Sequence, residues 1–114
     1  MHEMSIALSI LDEVEKHAKT HNAKNIEELV LEIGDLAGIE IDALSFALEA
    51  IRKKSILADT IYKIETLNGK ANCLECGKNF IMKELYDTCP ECNSYFKDIT
   101  EGKELKIKSI TLIN

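Results

Sequence analysis

The chain has no tryptophan, three Phe and three Tyr, so Leu, Ile and Ala have to fill whatever core it builds. It also lacks an excess of positive charge: 14 Lys and Arg stand against 20 Asp and Glu, a net charge of −6. A general nucleic-acid binder needs Lys and Arg to replace phosphate counterions, so that class is disfavoured. No run approaches the ~20 apolar residues that a membrane-spanning helix requires. The N-terminus has no basic start, and Asp12, Glu13 and Glu15 break its first apolar segment, so it does not read as a signal peptide. The expected location is the cytoplasm, where thiols stay reduced. Nor is there a phosphate loop, because "GDLAG" lacks the Walker lysine and hydroxyl. With 3 His and 4 Cys in the whole chain, a nucleophilic Cys–His pair is not expected, and neither is an enzyme.

At 114 residues, the length suits one domain with a small appendage. Over residues 4–19 the apolar positions Met4, Ala7, Leu8, Leu11, Val14 and Ala18 step by three and four, as one face of a helix does. Lys16, His17, Lys19 and His21 gather near its end, where cations suit the negative pole of the dipole. The two histidines read there as helix-end cations rather than ligands. Alternation at Leu29, Leu31 and Ile33 predicts a strand ending at Gly34. Residues 41–54 form a second helical pattern, with Ile41, Leu44, Leu48 and Ile51 on one face. Glu40 and Asp42 open it and Arg52, Lys53 and Lys54 close it, in the order the macrodipole favours. Tyr62 and Ile64 mark a second strand, and Leu105, Ile107, Ile110 and Leu112 a third whose phase changes near Ser109.

Between those last two strands, residues 70–98 show no helical period and hold every cysteine and the one proline. The predicted fold class is α+β, two-layered: a small mixed three-stranded sheet with two helices on one face. A cysteine module is inserted into it, as if into a hairpin. The expected division is residues 1–69 with 99–114 as one domain and 70–98 as the module.

The cysteines form two pairs, Cys73 with Cys76 and Cys89 with Cys92, separated by twelve residues. Each CxxC folds as a tight turn that aims two thiolates at one point, and two such turns complete a tetrahedron around zinc. Gly77 follows the first pair and Asn93 the second. These are the residue types that best accept the positive φ such turns need. Zinc is the expected occupant, with iron the alternative that tetrahedral sulfur also accepts. Four thiolates leave no open position for a water, so the metal's expected role is structural.

The other candidate is the opening "MHE". The Met1 amine and the His2 backbone nitrogen close a five-membered chelate ring on a metal. The His2 nitrogen and its imidazole Nδ1 close a six-membered one, and the Glu3 nitrogen offers a fourth in-plane donor. Planar nitrogen sets suit Ni(II) or Cu(II). At a helix start the first amides have no intrahelical partner, so His2 and Glu3 could lose amide protons without breaking helical bonds. A solvent-exposed histidine with no role fits the same residues, as does Glu3 acting only as a dipole partner.

Taken together, "MHEMS", "LEIGDLAGIE", "ALSFALEAI", "CLECG", "CPEC" and "EGKELKIKSI" make the chain resemble, end to end, the HypA/HybF family of hydrogenase nickel-incorporation proteins. The resemblance implies a nickel metallochaperone that helps insert Ni(II) into the large-subunit precursor of [NiFe]-hydrogenase. It implies work with a HypB-type GTPase, and service to urease maturation in some relatives. By motif match it implies His2 as the key nickel ligand, with the Met1 amine and Glu3 in the same site. It implies Cys73, Cys76, Cys89 and Cys92 as zinc ligands. Unlike some relatives, this chain has no histidine after His21, so none is available from the cysteine module to exchange at zinc or complete the nickel site. A zinc-ribbon adaptor without nickel is the competing reading. Monomer and homodimer are both compatible with the sequence.

Overall fold

The computed structural model describes residues 3–113. Its elements run α1 (Glu3–Thr20), β1 (Asn25–Gly34), α2 (Ile41–Arg52), β2 (Ile61–Leu67), β3 (Gly69–Cys73), β4 (Asn79–Met82), β5 (Lys97–Glu101) and β6 (Leu105–Ile113). They form an α+β fold with two three-stranded sheets, ordered β2-β1-β6 and β4-β3-β5. The chain divides into two compact units. One takes the described residues up to Leu31, Ile39–Ile64 and those from Ile107 on; the other takes Glu32–Gly38 and Glu65–Lys106.

In the first unit α1 packs on α2. The buried face of α1 is Ala7, Ile10, Val14 and Ala18. Met4 and Leu8, placed on that face from the sequence, are exposed instead at 44% and 51%. Leu8 lies ~100° around the helix from Ala7, so Ile10 on the opposite flank takes the inward place. The inner side of α2 is Leu44, Ala47 and Leu48. Ile26, Leu29, Val30 and Leu31 of β1 are buried as well. Two side chains secure the entry to β2: the buried Thr60 hydroxyl donates to the Ile26 carbonyl at 2.7 Å, and the half-buried Arg52 guanidinium donates to the Thr60 carbonyl and stacks over the Tyr62 ring at 4.6 Å.

The hairpin expected from the order of elements does not form, because β1 lies between β2 and β6. The reason is apolar content. β1 is buried on successive as well as alternate positions, whereas β2 and β6 have no fully buried residue. A strand needing cover on both faces takes the centre, and half-buried strands take the edges.

The second unit has its own core of Leu36, Ala71, Cys73, Phe80, Met82 and Cys89, with Ile99 packed against it. β3 pairs antiparallel with both β4 and β5, aligning Ala71 with Phe80 on one side and with Ile99 on the other. These three short strands, which span residues 69–101, were not anticipated from the sequence. Leu36 reaches this core because the 34–38 loop is bonded to the 102–104 turn: Leu36 N–H donates to the Gly102 carbonyl at 2.7 Å and Gly34 N–H to the Glu104 carbonyl at 2.8 Å. Gly102 has φ +114, and a Cβ there would lie 2.5 Å from the Gly69 Cα. Gly102→Ala should therefore lose roughly 1–3 kcal/mol of stability through strain and overpacking together. Denaturant unfolding measures this; an unchanged midpoint would show that the junction has slack.

Candidate metal centres

The four cysteines come from matching local turns. Cys73 ends β3, and its N–H donates to the Lys78 carbonyl at 2.8 Å while its carbonyl accepts Gly77 N–H at 2.9 Å. In the second pair Cys89 N–H donates to the Ser94 carbonyl at 3.0 Å and its carbonyl accepts Asn93 N–H at 2.8 Å. The bonds repeat position for position, so the two segments are copies of one turn. Gly77 (φ 79) and Asn93 (φ 60) both adopt the left-handed conformation expected of them. Outside the turns, Asp87 secures the approach to the second pair. Its carboxylate accepts Lys83 N–H at 2.8 Å and Glu84 N–H at 3.2 Å. Those two backbone bonds hold its pKa below the ordinary value.

All four sulfurs lie within 4.8 Å of one another, and among the described residues this is the only set of three or more potential ligands so gathered. Cys73 Sγ is 3.6 Å from Cys92 Sγ, and Cys76 Sγ is 3.5 Å from Cys89 Sγ. A regular tetrahedron with Zn–S near 2.3 Å has edges of about 3.8 Å. The sulfurs thus stand close to where a tetrahedral cation would hold them, and the cluster is compatible with a structural zinc site. None of the four is in a disulfide. Cys73 and Cys89 are buried, and Cys76 and Cys92 are exposed. Each turn therefore presents one sulfur from the core and one from the surface.

The thiols differ as acids. The Cys76 backbone N–H, 3.5 Å from the Cys73 sulfur, leads the effects that bring Cys73 down to about 6, against opposing burial. At Cys92 the Ser94 backbone N–H pulls downward, but burial and bonds from the other three thiols outweigh it and push the group up to about 12. Cys76 is also raised; the Lys78 N–H lowers it, and the Cys89 thiol and burial prevail. Crowded thiols share too few positive neighbours to ionise together. A divalent cation supplies the missing charge and displaces the protons, so binding weakens as pH falls.

Of the sequence-predicted nickel set, Met1 and His2 lie outside the described residues. Glu3 is the first residue of α1. Its carboxylate accepts the backbone N–H of Glu40 at 3.2 Å. Glu40 is the N-cap of α2, where it makes no side-chain cap bond. The carboxylate thus stands at the positive pole of a second helix. Sequence reasoning identified Glu40 as a helix-opening charge but carried no signal for this contact, which joins residues 37 positions apart.

Residues 1–112 match the family described as "Hydrogenase/urease nickel incorporation, metallochaperone, hypA". A Parabacteroides distasonis protein, "Hydrogenase maturation factor HypA", is 44% identical over 112 residues, covering 98% of this chain and 97% of its own. Another protein of that description, from Psychromonas ingrahamii, is 39% identical over the whole of both chains. The solution structure of the Ni metallochaperone HypA from Helicobacter pylori aligns with a TM-score of 0.69 at 30% identity, covering 99% of this chain and 98% of that one.

Proposed function

Because this chain belongs to the HypA family of nickel-incorporation metallochaperones, whose members are accessory proteins and not enzymes, we propose that it carries Ni(II) on its N-terminus for delivery to the large-subunit precursor of a [NiFe]-hydrogenase. The Met1 amine, His2 and Glu3 hold the cargo. Cys73, Cys76, Cys89 and Cys92 hold a resident zinc that shapes the module at residues 70–98. A HypB-type GTPase supplies or gates the nickel, since no phosphate-binding loop is present in this sequence. A urease maturation protein is the alternative recipient.

The observation that carries this reading is a family match that begins at residue 1 and continues through both cysteine pairs. The Glu3 contact adds a refinement. One carboxylate oxygen accepts the Glu40 N–H, and a carboxylate has further lone pairs, so Glu3 keeps both its backbone nitrogen and its second oxygen to offer the metal. The same bond ties the start of α1 to the start of α2, giving the terminal site a fixed base. The module offers material for a protein partner, because Leu74, Ile81, Tyr86, Tyr95 and Phe96 are each more than 60% exposed. Large exposed aromatic and aliphatic side chains of this kind are enriched where proteins dock.

Nickel titration of the zinc-loaded protein beside its His2→Ala variant tests the proposal. The variant should bind nickel at least about tenfold more weakly, since losing even a supporting contact costs a metal site that much. Equal affinities would reject the terminal site and favour a zinc-ribbon adaptor without nickel.

A further inference from the structure

At the other end of α1, Glu13 and His17 lie about one turn apart on one face of the helix, and His21 follows at the same interval just past its last residue, Thr20. His17 Nε2 lies 3.9 Å from a Glu13 carboxylate oxygen, with both side chains more than half exposed. That is too long for a hydrogen bond, so the two side chains are neighbours that are not bonded to each other. The His21 ring has a more telling arrangement. Its Nδ1 is 2.9 Å from the His17 backbone carbonyl oxygen. A carbonyl only accepts, so the proton sits on Nδ1, and the neutral ring presents the lone pair of Nε2 outward. Metal-binding histidines are held in this same way, by a ring N–H donated to a backbone carbonyl.

We infer that Glu13, His17 and His21 form a second, weaker site for a divalent first-row cation at the C-terminal end of α1. Two imidazoles and a carboxylate suit nickel, with waters completing its coordination. The helix C-terminus adds a negative pole. Nearby cations oppose it: Lys16 is paired with Asp12 at 3.1 Å, while Lys19 stands in the last turn. The three ligands do not form a closed cluster like the cysteines, so the ion itself draws the exposed side chains together, and affinity is correspondingly low. From Glu3 to Thr20 the helix rises about 25 Å. The two ends therefore cannot share one ion, and this site is independent of the proposed terminal one. It would hold cargo nickel transiently on the same helix.

The test uses full-length, zinc-loaded His2→Ala protein, so that failure of the terminal site leaves the outcome untouched. Nickel is added and followed by equilibrium dialysis and by imidazole proton–nitrogen spectra. The expected result is uptake of about one equivalent, with paramagnetic broadening at His17 and His21, because six-coordinate nickel is high-spin. His21→Ala in that background should weaken uptake at least about tenfold. Rings that stay sharp at saturating nickel, or uptake unchanged by His21→Ala, would overturn the assignment.

Discussion

Stripping the cation from the four cysteines with a strong chelator should unfold residues 70–98 while the helical signal of α1 and α2 stands. The second unit's core has six buried residues, and two of them, Cys73 and Cys89, are themselves sulfur ligands. Its strands are five, four and five residues long. Segments of that size do not hold together on apolar burial alone and need a disulfide or a metal. The metal's contribution is correspondingly large, about 10–16 kcal/mol for structural zinc in small modules. Amide exchange should show Ala71, Phe80 and Met82 losing protection on chelation, with circular dichroism near 222 nm almost unchanged. Cys89→Ser should reproduce the effect. A parallel fall in helical signal would show that the proposed module and the helices fold as one body.

The second large effect concerns the terminus. Any extension before Met1 turns its amine into an amide and removes one chelate ring from the proposed nickel site, while leaving His2 in place. Linked donors strengthen one another by roughly 10²–10⁴, so a short Gly-Ser extension should weaken nickel binding about a hundredfold. Competition titration of protein with and without the extension measures the difference. An unaffected affinity would strike the amine from the ligand set and leave the imidazole alone to account for binding.

The sequence made the cysteine site legible because metal chemistry is local. Two thiolates on one turn need a fixed spacing, and the turn needs a residue that accepts positive φ, so Cys73 to Gly77 and Cys89 to Asn93 announce themselves. The helices and the strands β1, β2 and β6 were legible for a similar reason, since their periods are written in consecutive residues. Relations between distant segments were not. Nothing near Leu36 says that it fills the core beneath the cysteines, because what places it there is a glycine junction between residues 34, 69 and 102. The strands within the module escaped because Ala71 and Phe80 alternate over too few positions to show a period. The Glu3 to Glu40 bond likewise depends on the packing of two helices, which no local pattern encodes.

The central place of β1 has a consequence for how the protein is made. Its partners β2 and β6 leave the ribosome at different times, and β6 is the last described element to emerge. Until then one edge of the most apolar strand has no ladder partner, a state prone to pairing with neighbouring chains. The closing contact, Lys24 N–H to the Ile113 carbonyl at 3.0 Å, joins residues 89 positions apart, and folds that depend on such distant pairings form slowly. The nascent chain's exposure to aggregation is therefore set by the wait for β6.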